Sequence, residues 1–367
     1  MEAVTNETPI PVVDLERLER NLARMAAYTS RHRLALRPHT KTHKSPRVAA
    51  EQIRHGAVGL TCATILEAEV MAEASTDLLL AYPPVGEAKL HRLLSLPGDC
   101  EITVALDSEP VADQLSLAAR KRDRRVGVLI ELDLGMHRVG LAGFEAAVAL
   151  ARFVADRSPL VYRGIAFYPG HIRSSAQTED FERLGTQLKS AIAAFDRAGV
   201  RPDVVSGGST PTAWRTHEIE GITEVRPGTY VYNDRVTSQI GACDWDDCAL
   251  TILATVVSTA VPGQAVIDAG SKALGREPSE GQGVGYGALL DRPEVVVSRL
   301  SEEHGILDLQ YTDWRPVVGD RVRIVPNHVC VAVHLHEVVY GIRDDRLETS
   351  WPVMARGRRP LHESLEV

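Results

Sequence analysis

Short apolar runs alternate with amphipathic stretches through the first two-thirds of the chain. The runs ALRP (35–38), AVGLTC (57–62), DLLLAY (77–82), EITVAL (101–106), RVGVLIELD (125–133), YRGIAFY (162–168), PDVVSGG (202–208) and ITEVRPG (222–228) read as strands. Between them, stretches such as SPRVAAEQIRHG, ILEAEVMAEA and EDFERLGTQLKSAIAAFDRAG carry apolar residues three and four apart, and several stop at glycine. Strands separated by single helices pair in parallel through right-handed crossovers. Eight such units fit a closed (β/α)8 barrel better than an open sheet.

The pattern changes near residue 249. ALTILATVVSTAV, QAVIDAG, PEVVVSRL, HGILDLQ, DRVRIVP and HVCVAVHLHEVVYGI are strand-like, with few helical stretches between them. This predicts a barrel over residues 15–245 and a mainly antiparallel β-domain over 246–367. The opening run PIPVVD, within 9–14, is expected to join that second domain.

Composition narrows the class. The 367 residues are 44% hydrophobic and 25% charged, with a formal net charge of −8. An acidic chain does not suit nucleic acid or an anionic membrane as a partner. No run of 18 apolar residues suggests a membrane span, and the N-terminus lacks the basic start and apolar core of a signal peptide. The cytoplasm is the expected compartment. Five sparse cysteines do not make a disulfide framework, and GACDWDDCAL offers no histidine to help Cys243 and Cys248 bind a metal.

Against this acidic background, RPHTKTHKSPR (37–47) gathers four basic side chains and two histidines just past the first barrel strand. Active groups of such barrels sit where strands deliver the chain to the C-terminal face. Lys41, near His39, His43 and Lys44, is either part of a solvated loop or an amine made nucleophilic by neighbouring cations. VVSGGSTPT follows the seventh strand. Its backbone N–H groups around Gly207 and Gly208, with the hydroxyls of Ser206, Ser209 and Thr210, can cradle a phosphate, or the turn is only a turn. In PNHVCVAVHLHE (326–337), His328 and Cys330 share a face if the segment is a strand. Imidazole with thiolate suits zinc, although a buried cysteine beside a hydrogen-bonded histidine is the plainer alternative. ELDLGMHRVG places Asp133 and Arg138, and AFYPGH places Tyr168 and His171, on the predicted active face. REPSEGQGVGYG (276–287) reads as a flexible loop of the second domain.

These stretches together resemble the fold-type III pyridoxal-phosphate enzymes, the alanine-racemase-like barrels, and in particular their D-threonine aldolase and D-serine dehydratase branch. RPHTKTHK, GLTCATILEAEVM, ELDLGMHRVG, VVSGGSTPT, TEVRPGTYVYND, VIDAGSKAL, SEEHG and VPNHVC carry the likeness over nearly the whole chain. The resemblance implies pyridoxal 5′-phosphate held covalently by Lys41, with His39, Arg138, Tyr168 and Tyr230 around it. It implies that the Ser206–Thr210 turn holds the phosphate, and that His328 and Cys330 ligate a divalent metal. It also implies a homodimer acting on a D-amino acid. The aldolases typically carry aspartate where Cys330 stands, which suits manganese or magnesium. Cysteine there looks like the zinc-using dehydratases. The expected reaction is dehydration and deamination of a D-β-hydroxy amino acid, such as D-serine, D-threonine or D-3-hydroxyaspartate. Retro-aldol cleavage to glycine and an aldehyde is the alternative. Racemisation, cofactor binding without turnover and a cofactor-free metal hydrolase stand behind these.

Overall fold

A computed structural model describes residues 7–174, 176–279 and 284–358. The chain divides into two compact units. One comprises the described residues up to Ala23 together with Thr42–Lys44 and Thr229–Gly357. The other comprises Arg24–Lys41 and Ser45–Gly228, with Arg358.

Two elements open the chain, β1 (Ile10–Asp14) and α1 (Leu15–His32). On α1 the buried residues Leu15, Leu18, Leu22 and Met25 recur three and four apart, and Arg31 and His32 close the last turn where cations favour the helix dipole. The barrel strands follow: β2 (Ala35–Leu36), β3 (Leu60–Cys62), β4 (Asp77–Leu80), β5 (Glu101–Leu106), β6 (Val126–Leu132), β7 (Leu160–Phe167), β8 (Val204–Gly207) and β9 (Glu224–Val225). The helices between them are α2 (Pro46–Arg54), α3 (Ile65–Met71), α4 (Glu87–Leu94), α5 (Glu109–Lys121), α6 (Phe144–Ala155) and α7 (Thr178–Arg197).

Each of the eight apolar runs overlaps one of these strands, and β7 begins two residues before its run, at Leu160. They lie in the order β2-β9-β8-β7-β6-β5-β4-β3, and every pairing is parallel. A parallel bridge from His39 to Thr61 joins β2 back to β3, with the Val58 and Thr61 N–H groups donating to the Leu36 and Pro38 carbonyls. Strand β6 is buried at all seven positions, as a strand covered on both faces must be. Leu79, Ala105, Leu129, Ala166 and Val204, from β4 to β8, pack as one cluster. On α7, Phe181, Leu184, Leu188, Ala191 and Phe195 form the buried stripe. A bulge in β7 slips the register opposite β6, and Gly164 sits there at φ +148 with its Cα against the Val204 carbonyl, where a side chain has no room.

The other unit is built on a nine-stranded sheet. Its strands are β1, β10 (Leu250–Ser258), β11 (Gln264–Ile267), β12 (Gly287–Leu289), β13 (Val297–Leu300), β14 (Gly305–Asp308), β15 (Arg321–Pro326), β16 (Val338–Arg343) and β17 (Arg346–Pro352). Strand β1 pairs antiparallel with β10 and parallel with β16; the remaining pairings are antiparallel. Short helices α8 (Arg235–Gln239), α9 (Ser271–Leu274) and α10 (Val329–Leu335) interrupt the strands. This is an (β/α)8 barrel of alanine-racemase type with an antiparallel β-domain.

One element differs from the sequence reading. PNHVCVAVHLHE is not a continuous strand: β15 ends at Pro326, and Val329–Leu335 is the helix α10. The alternation of valine with other residues imitates a strand. Burial follows the helical period instead, at Val329, Ala332 and Val333. Of the 276–287 loop, residues 280–283 lie outside the described residues.

Candidate active site

The basic cluster after β2 is not a solvated loop. Thr40, Thr42 and His43 are fully buried, and Arg37 and Lys44 nearly so. Arg37 is fixed by Asp77 and Glu224, whose carboxylates accept from its guanidinium at 2.7 Å each. Burial opposes that charge, but the two carboxylates outweigh it and raise the Arg37 pKa above its ordinary value. Lys41 lies in a tight turn over Thr40–Thr42 and stays partly exposed. Its backbone N–H reaches His39 Nδ1 at 3.4 Å, and its amine lies 5.7 Å from the centre of the Tyr168 ring. Arg138, exposed in the loop after β6, places its guanidinium 5.0 Å from the centre of the same ring. Lys41 and Arg138 thus converge on the Tyr168 ring. In the loop before Arg138, the Asp133 carboxylate accepts from the N–H groups of Gly135 and His137 and pairs with the His137 ring. His171 packs against Gly135, and burial lowers its pKa.

The turn after β8 is shaped by two glycines. A side chain at Gly207 would strike the Phe167 ring, and Gly208 takes φ +84. The Ser209 N–H donates to the Thr212 hydroxyl at 3.2 Å, and the two hydroxyls lie 3.1 Å apart; Thr210 is also buried. Ser206 is differently placed. Its hydroxyl donates to Glu224 at 2.5 Å and accepts from Arg226, so it belongs to a buried network behind the turn.

Arg226 escapes a motif search but anchors that network. It is buried, and its guanidinium also donates to the Phe167 carbonyl at 2.9 Å. Burial lowers its pKa against the pull of Glu131 and Glu224. Burial likewise raises the Glu131 carboxyl, against Arg226 and Arg138. The available signal is a repeated pattern: LRP (36–38) and VRP (225–227) each follow a strand with arginine and proline, and Leu36 pairs with Val225.

In the β-unit, His328 is the residue before α10, and Cys330 lies in that helix's first turn. His328 Nδ1 stands 3.4 Å from the Asp234 carboxylate. Burial disfavours charge on the imidazole, but the Cys330 sulfur and Asp234 prevail and push its pKa up to about 11. The Cys330 sulfur is 3.2 Å from the hydroxyl of Thr42 and 3.8 Å from that of Thr229. Thr42 is the next residue in the chain after Lys41. Sequence reasoning missed Asp234, Thr42 and Thr229, because their roles here rest on contacts remote in sequence. Tyr230 is buried in a short turn over Thr229–Val231. His336 contacts the Ala273 carbonyl at 3.0 Å, so its ring is engaged away from Cys330. Cys243 and Cys248 are buried free thiols. Among the described residues, no group of three or more His, Cys, Asp or Glu is arranged to hold a metal, so His328 and Cys330 form a two-donor set.

A parallel barrel with a lysine past its first strand, a glycine turn after its seventh and an appended β-domain defines the alanine-racemase-like class. The alanine racemase N-terminal domain family matches residues 13–236, and the serine dehydratase domain family matches 249–342. The chain belongs to the fold-type III pyridoxal-phosphate enzymes, in the branch of D-amino-acid lyases. It is 33% identical to the 3-hydroxy-D-aspartate aldolase of Paracoccus denitrificans (strain Pd 1222), over 96% of this chain and 92% of that protein. It is 34% identical to the D-threo-3-hydroxyaspartate dehydratase of Delftia sp. (strain HT23), over 89% and 92%. The solved D-threonine aldolase of Filomicrobium marinum superposes with a TM-score of 0.87 at 31% identity, covering 95% of this chain and 96% of that one. A cysteine-to-alanine variant of a D-threo-3-hydroxyaspartate dehydratase has been solved in a metal-free form; it superposes with a TM-score of 0.85 at 33% identity, covering 97% and 99%. No helix among the described residues is long and apolar enough to cross a membrane.

The residues fit the family's cofactor. A partly exposed lysine amine faces an aromatic ring, and the turn after β8 has a glycine with no room for a side chain, Gly207, followed by one at positive φ, Gly208. The nitrogen and sulfur donors of His328 and Cys330 fit a borderline-soft divalent ion.

Proposed function

We propose that this protein deaminates a D-β-hydroxy amino acid by eliminating water across its α- and β-carbons, the enamine product then taking up water to give a 2-oxo acid and ammonia, with a divalent metal, zinc, at His328 and Cys330. The cofactor supplies an electron sink for charge at the substrate α-carbon, and the metal supplies Lewis acidity at the β-hydroxyl. Lys41 Nζ holds the cofactor and, once released, takes the proton from the α-carbon. Tyr168 and Arg138 would flank the cofactor, with His39 and Tyr230 near it, and the N–H groups of Gly208 and Thr210 would receive its phosphate, the Ser209 N–H being donated to the Thr212 hydroxyl. His328 and Cys330 would hold the metal that makes the β-oxygen a better leaving group, and the proton Lys41 Nζ takes from the α-carbon would balance its departure as water. We also infer that the enzyme is a homodimer.

Cys330 carries the reading. A thiol in this position favours zinc over harder ions, and the relative solved as a cysteine-to-alanine variant in a metal-free form is a dehydratase. Retro-aldol cleavage remains the second reading, since the Paracoccus and Filomicrobium relatives are aldolases. Incubation with D-serine, D-threonine and D-threo-3-hydroxyaspartate, with and without chelator, separates the two. A 2-oxo acid with ammonia, lost on chelation, supports dehydration. Glycine with an aldehyde overturns it in favour of cleavage.

A further inference from the structure

We propose that Asp234 is the positioning residue of the metal site, setting the His328 imidazole and the start of the Cys330 helix through a single carboxylate. The inference rests on the reading of His328 and Cys330 as metal ligands.

Asp234 is completely buried, and both of its oxygens are engaged. Oδ1 accepts from the backbone N–H and the hydroxyl of Thr237, at 2.8 Å each, closing the capping box of α8. Oδ2 accepts from the backbone N–H of Val329 at 3.0 Å and lies 3.4 Å from His328 Nδ1. Val329 is the residue between the two ligands and the first of α10. His328, which occupies the capping position of α10, makes no side-chain cap there. The distant carboxylate therefore satisfies a helix-start N–H that the local sequence leaves open.

The same oxygen decides how the imidazole can be used. A neutral imidazole carries one N–H. A carboxylate facing Nδ1 keeps the proton there and leaves the Nε2 lone pair for a metal. Thus one group fixes the ring's tautomer and the backbone that leads to Cys330 two residues on. An ordinary structural cap would require only the Oδ1 half of these contacts.

Asparagine at 234 separates the two halves. With its carbonyl toward Thr237, it presents an NH2 group to the Val329 N–H and to His328 Nδ1. That pushes the imidazole proton to Nε2, where it blocks ligation. Thr237→Val removes a contact on the opposite oxygen and leaves the His328 side intact.

The test uses the cofactor-loaded protein, stripped of metal by dialysis against chelator and titrated with Zn2+ in competition with a chromogenic chelator. Co2+ loading alongside reads the thiolate charge-transfer band of Cys330. Circular dichroism checks that each variant is folded. Wild type is expected to bind one Zn2+ per chain. Asp234→Asn is expected to bind about 10–100-fold more weakly, with an altered Co2+ spectrum, and Thr237→Val to bind close to wild type. Unchanged affinity in Asp234→Asn overturns the inference, as does an equal loss in Thr237→Val, which would make Asp234 a stability residue only. Failure of wild type to bind Zn2+ would instead overturn the ligand assignment beneath it.

Discussion

The barrel and the β-unit hold their chemical groups in opposite ways. In the barrel, Lys41, Arg138, Tyr168, the 207–210 turn and Arg226 follow five different strands, β2, β6, β7, β8 and β9. In the β-unit, His328 and Cys330 ride on one junction between β15 and α10. A distributed set tolerates the shift of one loop, because the remaining strands still define the site. A concentrated set moves as a unit, so whatever steadies the junction steadies both donors at once.

Substitutions test that contrast, beginning with the most damaging. Lys41→Ala should lower turnover by roughly 10³-fold or more and abolish the yellow colour that borohydride bleaches, while the protein stays folded by circular dichroism. An active or still borohydride-fixable variant would place the covalent link elsewhere. Cys330→Ala should lose metal by elemental analysis and, at several kcal/mol of lost Lewis-acid stabilisation, roughly 10²–10³-fold in turnover. Retention of both would end the zinc reading.

Arg226→Ala addresses the barrel's own support. It takes from Glu131 its largest counter-charge and from Glu224 one of two, since Arg37 stays paired with Glu224, and should cost about 3–5 kcal/mol in denaturant unfolding. A loss below about 1 kcal/mol would mean that the distributed set does not depend on this network. Thr42→Val removes the hydroxyl beside the Cys330 sulfur and should weaken Zn2+ by about tenfold or less, measured by chelator competition.

The smallest effect is acid dependence at Asp133. Burial opposes its charge, yet the N–H groups of His137 and Gly135 and the His137 ring hold its pKa below the usual value. A depressed carboxylate stabilises the fold above its unfolded pKa, and that contribution disappears as pH falls through the folded one. Asp133→Asn should therefore be less stable than wild type near neutrality by about 1 kcal/mol, with the gap closing below pH ~4. A gap that persists in acid would show a packing effect instead.

Much of the barrel was legible because buried parallel strands are nearly continuous apolar runs. Their ends were less so: ALRP shrinks to Ala35–Leu36 and ITEVRPG to Glu224–Val225. The helix at Val329–Leu335 was misread because alternating valines carry a strand's period, while its start is stabilised from Asp234, far away in the chain. For the same reason the lysine, the glycine turn and the His–Cys pair stood out as motifs, whereas Asp234, Arg226 and Glu131 did not. Their significance lies in partners that only folding brings near.

Strand β1 has a further consequence, for biosynthesis. Ile10 pairs with Leu253 and Val12 with Tyr340. At about 5–20 residues per second, β1 leaves the ribosome roughly ten to fifty seconds before its nearest mate. During that interval β1 has neither of its strand partners, so the barrel segment is synthesised before the β-unit can close around its own first strand.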